Sequence, residues 1–160
     1  MIRYLPAAIQ EPRRPLRAVL IAWLLCVAGS LFLSALSQLL VPNMETPQFP
    51  KVHPGVLLFM LVIFAPVVET LIMAALLELM LRLRVPPAIA TLLSALGWGV
   101  AHSLQVPMWG FVIWWPFLIF STLYVTWSKR SIWAAVLLVT TVHGLQNLLP
   151  ALLVASGNAG

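Results

Sequence analysis

Residues 55–80, GVLLFMLVIFAPVVETLIMAALLELM, contain only two charged side chains, Glu69 and Glu78. About 20 apolar residues rising 1.5 Å each cross a hydrocarbon core of about 30 Å. The segment therefore reads as a transmembrane helix. Similar runs occupy residues 17–41, 87–105, 109–127 and 131–154. The expected fold is therefore all-α: a polytopic transmembrane helix bundle of about five spans, one integral-membrane domain over residues 1–160. The first run is longer than the apolar core of a cleaved signal and is read as an uncleaved anchor.

Composition agrees with that placement. Of the 160 residues 62% are hydrophobic and 8% charged, whereas a soluble domain has about a quarter of its residues charged. The net charge of +5 lies in short loops, which argues against a nucleic-acid partner. With one cysteine, Cys26, no intrachain disulfide can form. The acids are Glu11, Glu45, Glu69 and Glu78, with no Asp.

The loops give direction. Arg3, Arg13, Arg14 and Arg17 precede the first run, Arg82 and Arg84 join the second to the third, and Lys129 and Arg130 join the fourth to the fifth. The alternate connections hold only Lys51, His53 and Glu45. Lys and Arg concentrate on the cytoplasmic side, so the N-terminus is expected there. Trp109, Trp127 and Trp133 fall at run ends and read as interfacial anchors. Trp114 and Trp115 lie deeper and read as packing residues. Glu78 stands four residues before Arg82 and reads as its ion-pair partner.

Few strongly polar side chains lie deep in the runs: Glu69, His102, His143, Gln146 and Asn147. Measured from the basic ends, Glu69, His102, His143 and Asn147 sit at depths of roughly 18–24 Å at 1.5 Å per residue. His143 and Asn147, four apart, share a helix face. Pro66, three residues before Glu69, removes a helical donor and predicts a kink. Ionisable groups at this depth face the bundle interior and mark functional sites. A carboxylate suits general acid or base work on water. Imidazole and amide donors suit a developing oxyanion.

Three motifs then carry a resemblance. PVVETLIMA (66–74), WGVAH (98–102) and HGLQN (143–147) follow one another on separate runs. Over residues 60–153 the chain resembles the CPBP family of intramembrane proteases, which includes type II CAAX-prenyl endopeptidases and bacteriocin-processing relatives. The resemblance implies an intramembrane glutamate-type endopeptidase acting on a membrane-anchored or lipid-modified protein or peptide. By motif position, Glu69 is the catalytic glutamate, His102 helps it activate water, and His143 with Asn147 stabilises the oxyanion. No cofactor and no metal are expected; if a metal were bound, Glu69, His102 and His143 would be its ligands. The expected location is multi-pass in a bacterial inner (plasma) membrane, and the oligomeric state is left open.

The first motif departs from the family pattern. Thr70 stands where a second Glu is usual, and Ala74 where an Arg is usual. Losing both members of a buried pair need not strand a charge, whereas losing one would. Two other functions fit the same residues: a small proton-coupled membrane transporter using Glu69, and a catalytically inactive membrane-peptide-binding partner.

Overall fold

The computed structural model describes residues 5–43, 45, 47–50 and 52–157. Arg3 and Lys51, used above for orientation, lie outside the described residues. The described chain is helical throughout its ordered elements: α1 (Ala7–Gln10), α2 (Pro15–Leu40), α3 (Pro54–Phe59), a π-helical turn (Met60–Phe64), α4 (Ala65–Arg82), α5 (Pro87–Ser103), α6 (Trp109–Ser128) and α7 (Ile132–Ala155). From Pro54 to Arg82 the helix is continuous through the π turn.

Four helices are long and apolar enough to cross a bilayer: Pro15–Leu40, Pro54–Arg82, Trp109–Ser128 and Ile132–Ala155. The remaining run forms α5, whose 17 residues rise about 26 Å at 1.5 Å each, at the short end of the roughly 17–25 residues that cross a bilayer. Pro107 explains the early stop, because it cannot donate to the helix and also disfavours helical geometry at Val106.

The turn into α5 is tight. Arg84 takes a positive φ of 62°. The Val85 N–H donates to the Met80 carbonyl and the Arg84 N–H to the Leu81 carbonyl, each at 3.0 Å. This is the paired closure of a helix that ends on a left-handed residue, with Pro86 blocking continuation. At the same end of the bundle, Arg130 Nη1 donates to the Pro12 carbonyl at 3.5 Å. The basic loop after α6 therefore lies beside the segment that leads into α2.

α6 is the centre. It touches α1, α2, α4, α5 and α7, and every residue from Pro116 to Trp127 is buried. A helix apolar on all sides can only be surrounded. By contrast, α2 turns Leu16, Leu20, Leu24, Leu31 and Phe32 outward. In water such a face would be a sticky patch; against acyl chains it matches its surroundings.

Helix association in lipid rests on close packing and interhelical hydrogen bonds. Trp115 Nε1 donates to the Leu25 carbonyl at 2.8 Å, and its indole packs over Gly29. Ser121 Oγ donates to Ser94 Oγ at 2.9 Å, and Gln146 Nε2 to Ser30 Oγ at 3.2 Å. α5 and α6 meet backbone to backbone at Gly99 and Gly110.

Two local expectations need correction. Glu78 is paired with Tyr124, whose hydroxyl donates to its carboxylate at 3.1 Å; no Glu78–Arg82 ion pair occurs among the described residues. The partner comes from α6, which spacing within one helix does not reveal. Trp127 is buried at 3% exposure, whereas Trp133 is 77% exposed, so only Trp133 of these two is placed as an anchor would be.

Candidate active site

Glu69 is presented by the continuous α3–α4 helix just after its irregular turn. Within that turn the Ala65 N–H reaches the Met60 carbonyl, five residues back. Such single-turn π segments frequently accompany functional sites. Pro66 follows without a donor of its own.

α7 brings His143 to Glu69. His143 Nε2 lies 3.6 Å from Glu69 Oε2, with the His143 side chain 5% exposed and that of Glu69 25% exposed. That separation is slightly beyond a hydrogen bond. His143 Nδ1 is buried without a partner. A hydrogen on Nε2 therefore aims the donor at the carboxylate and leaves Nδ1 an acceptor. The imidazole is held by Phe120 and Phe117, with ring centroids 4.7 and 5.4 Å away.

His102 occupies the end of α5. Its Nδ1 lies 2.8 Å from the Trp98 carbonyl. A carbonyl only accepts, so Nδ1 carries the hydrogen and Nε2 keeps a free lone pair. Trp98, Phe117 and Trp109 surround the ring at centroid distances of 5.9, 5.8 and 4.9 Å. Phe117 thus touches both His102 and His143. Asn147, one turn beyond His143, donates from Nδ2 to the Leu61 carbonyl at 3.0 Å.

Of the four expected residues, Glu69 and His143 are in direct contact. Asn147 holds the turn that leads into Glu69, and His102 joins through the Phe117 ring. Among the described residues no three His, Cys, Asp or Glu side chains form a group that could hold a metal ion. The set Glu69, His102 and His143 does not fit a metal centre in this arrangement.

Thr70 and Ala74, at 1% and 6% exposure, lie on the inward face of α4 with Met73 and Leu77. A Glu and an Arg at these positions would both be buried. The actual residues are small and neutral, and Thr70 Oγ1 has no hydrogen-bond partner. Thr70→Val, which keeps the shape and removes an unpaired hydroxyl, is expected to be neutral or to stabilise by up to about 1–2 kcal/mol. Thermal unfolding in detergent micelles checks this.

Beside the site, α4 and α5 leave a groove of about 430 Å³ whose lining includes Ile72, Leu76, Leu93, Gly97 and Trp98. Ile72, Leu76 and Leu93 are about half exposed, so the groove faces the hydrocarbon. Trp98 forms part of its wall, and its carbonyl orients His102. The aromatic support was not anticipated. Phe117 and Phe120, three apart on α6, share the face that carries both imidazoles, and Trp98 stacks on Phe117 at 4.5 Å. The spacing is visible in the sequence, but nothing in it says which neighbour the face meets. Trp114 and Trp115 pack internally, as expected.

No curated protein and no solved structure matches the chain. A family model does, that of the type II CAAX prenyl endopeptidase, Rce1-like, over residues 51–149. The match begins at the loop before α3 and ends within α7. It therefore takes in the whole helix that presents Glu69 as well as His102, His143 and Asn147. Because it covers more than half of the sequence, and four helices are built to cross a bilayer, the chain belongs to the Rce1-like type II CAAX prenyl endopeptidase family and is an integral-membrane peptide hydrolase.

Proposed function

We propose that the protein is a glutamate-type endopeptidase that cleaves a peptide bond in a membrane-anchored or lipid-modified protein or peptide, with Glu69 as the general base. The observation that carries this reading is the 3.6 Å approach of Glu69 to His143 on membrane-spanning helices inside the family-matched region. Glu69 takes a proton from a water that the free Nε2 of His102 helps to hold, and the oxygen attacks the scissile carbonyl. Nε2–H of His143 and the second amide hydrogen of Asn147 donate to the oxyanion. Glu69 then returns the proton to the leaving amine. As Glu69 takes up the proton its charge is neutralised, which frees Nε2–H of His143 to turn from the carboxylate to the oxyanion.

The groove between α4 and α5 suits the apolar moiety of such a substrate. The same reading puts Arg13, Arg14, Arg17, Arg82, Arg84, Lys129 and Arg130 on the cytoplasmic side, with the N-terminus. The test uses the protein reconstituted in lipid vesicles, with prenylated peptides and their unlipidated counterparts as substrates and mass spectrometry of the products. His102→Ala is expected to lower kcat/KM by about 10²-fold or more while preserving the thermal midpoint. Full activity in His102→Ala would remove His102 from the mechanism. Binding of the lipidated peptide without turnover would favour a peptide-binding partner over an enzyme.

A further inference from the structure

Pro66 takes one N–H out of its helix just where the helical register changes. In the five-residue register of the π turn, the donor for the Leu61 carbonyl would be the N–H of residue 66. In the ordinary four-residue register, the N–H of residue 66 would serve Val62. Proline supplies neither. α7 lies against both carbonyls and pairs with that of Leu61. Asn147 Nδ2 donates to the Leu61 oxygen at 3.0 Å, and Gly144 approaches the Val62 oxygen so closely that a Cβ there would lie 2.7 Å from it.

We propose that Asn147 is a positioning residue that replaces the missing N–H of Pro66, and that Gly144 leaves room for the adjacent Val62 carbonyl, so that α7 holds the π turn and thereby fixes where Glu69 meets His143. Buried carbonyls in lipid are costly to leave unpaired, which gives the contact its energy. The geometry gives it a consequence. A π turn inserts one residue into the helical repeat, so its loss would rotate everything downstream by about 100° relative to α3. The same helix α7 then carries both His143 and the amide and glycine that set the rotation of the helix opposite.

Only the activity arm of the test rests on the peptidase reading. The measurement is a double-mutant cycle between Pro66→Ala and Asn147→Ala, followed by thermal midpoint in detergent and by kcat and KM on a lipidated peptide. Asn147→Ala alone is expected to lower the midpoint by about 2–4 °C. In the Pro66→Ala background the backbone regains an N–H at position 66, and the same Asn147 substitution is expected to shift the midpoint by less than half as much. The kcat loss from Asn147→Ala is expected to shrink as well, the remainder being its direct donation to the oxyanion, with KM unchanged. Additive midpoint shifts would overturn the proposal, whatever the enzyme hydrolyses. Coupled midpoints together with an undiminished kcat loss would mean that the hold of Asn147 on Leu61 does not position Glu69, which also overturns it. If Pro66→Ala does not accumulate, Pro66→Ser provides the same N–H and the same cycle.

Discussion

Glu69→Gln is expected to lower kcat/KM for a lipidated peptide by about 10²–10⁴-fold, the range that a positioned general base contributes, and to leave the folded bundle intact. The substitution changes an oxygen for an amide nitrogen and little else. It keeps the volume that fits against His143, and Glu69 makes no ion pair to Lys or Arg among the described residues. A loss of hydrolysis with a thermal midpoint close to that of the parent would identify the carboxylate as chemical rather than structural. A fully active Glu69→Gln would end the glutamate mechanism, because an amide cannot accept a proton from water. A proton flux across vesicles that disappears in Glu69→Gln, with hydrolysis undetectable in the parent, would favour the transporter alternative.

Gly110→Ala is expected to have the largest effect on stability. In a helix interior this change ordinarily gains up to about 1 kcal/mol from propensity. Here the added carbon would land on the Gly99 carbonyl oxygen and Ser103 Oγ. The serine can rotate away, but the carbonyl belongs to the backbone of α5, so α5 and α6 must separate. Overpacking of this kind costs about 1–3 kcal/mol or more, which reverses the normal sign. Gly97→Ala is the internal control, since a Cβ there meets nothing within 4 Å. It should be neutral or mildly stabilising. The readout is thermal unfolding of the two variants side by side. Equal midpoints would show that the α5–α6 contact is looser than the structure has it. Gly110→Ala should also lose activity, because moving α5 displaces Trp98 and with it the carbonyl that orients His102.

Much of this architecture could be read from hydropathy, because lipid allows so few backbone solutions. The runs at 17–41, 55–81, 109–127 and 131–154 correspond closely to α2, α3–α4, α6 and α7. α5 is two residues shorter than the run at 87–105, because Pro107 ends the helix early. The site was legible as residue types at one depth, since ionisable groups are rare there and stand out. Their partners were not. Nothing in one helix announces that Tyr124 will reach Glu78, that Phe117 will touch two imidazoles, or that Asn147 will spend an amide hydrogen on Leu61. Pro66 predicted a disturbance, but its form is a π turn whose register depends on what α7 offers it. Thr70 and Ala74 stood out as missing charges; their burial shows why a small neutral pair is a self-consistent replacement.

The burial of α6 has a consequence for how such a chain can change over generations. A residue surrounded by four or five other helices has no substitution that concerns only itself, so α6 must drift slowly or in concert with its neighbours. The outward leucines of α2 answer only to fluid acyl chains, which accept almost any apolar shape. Sequence divergence should therefore collect on α2 and thin out towards α6. Comparison by overall identity will then understate kinship, since the outermost positions lose their ancestry first while the centre keeps it longest.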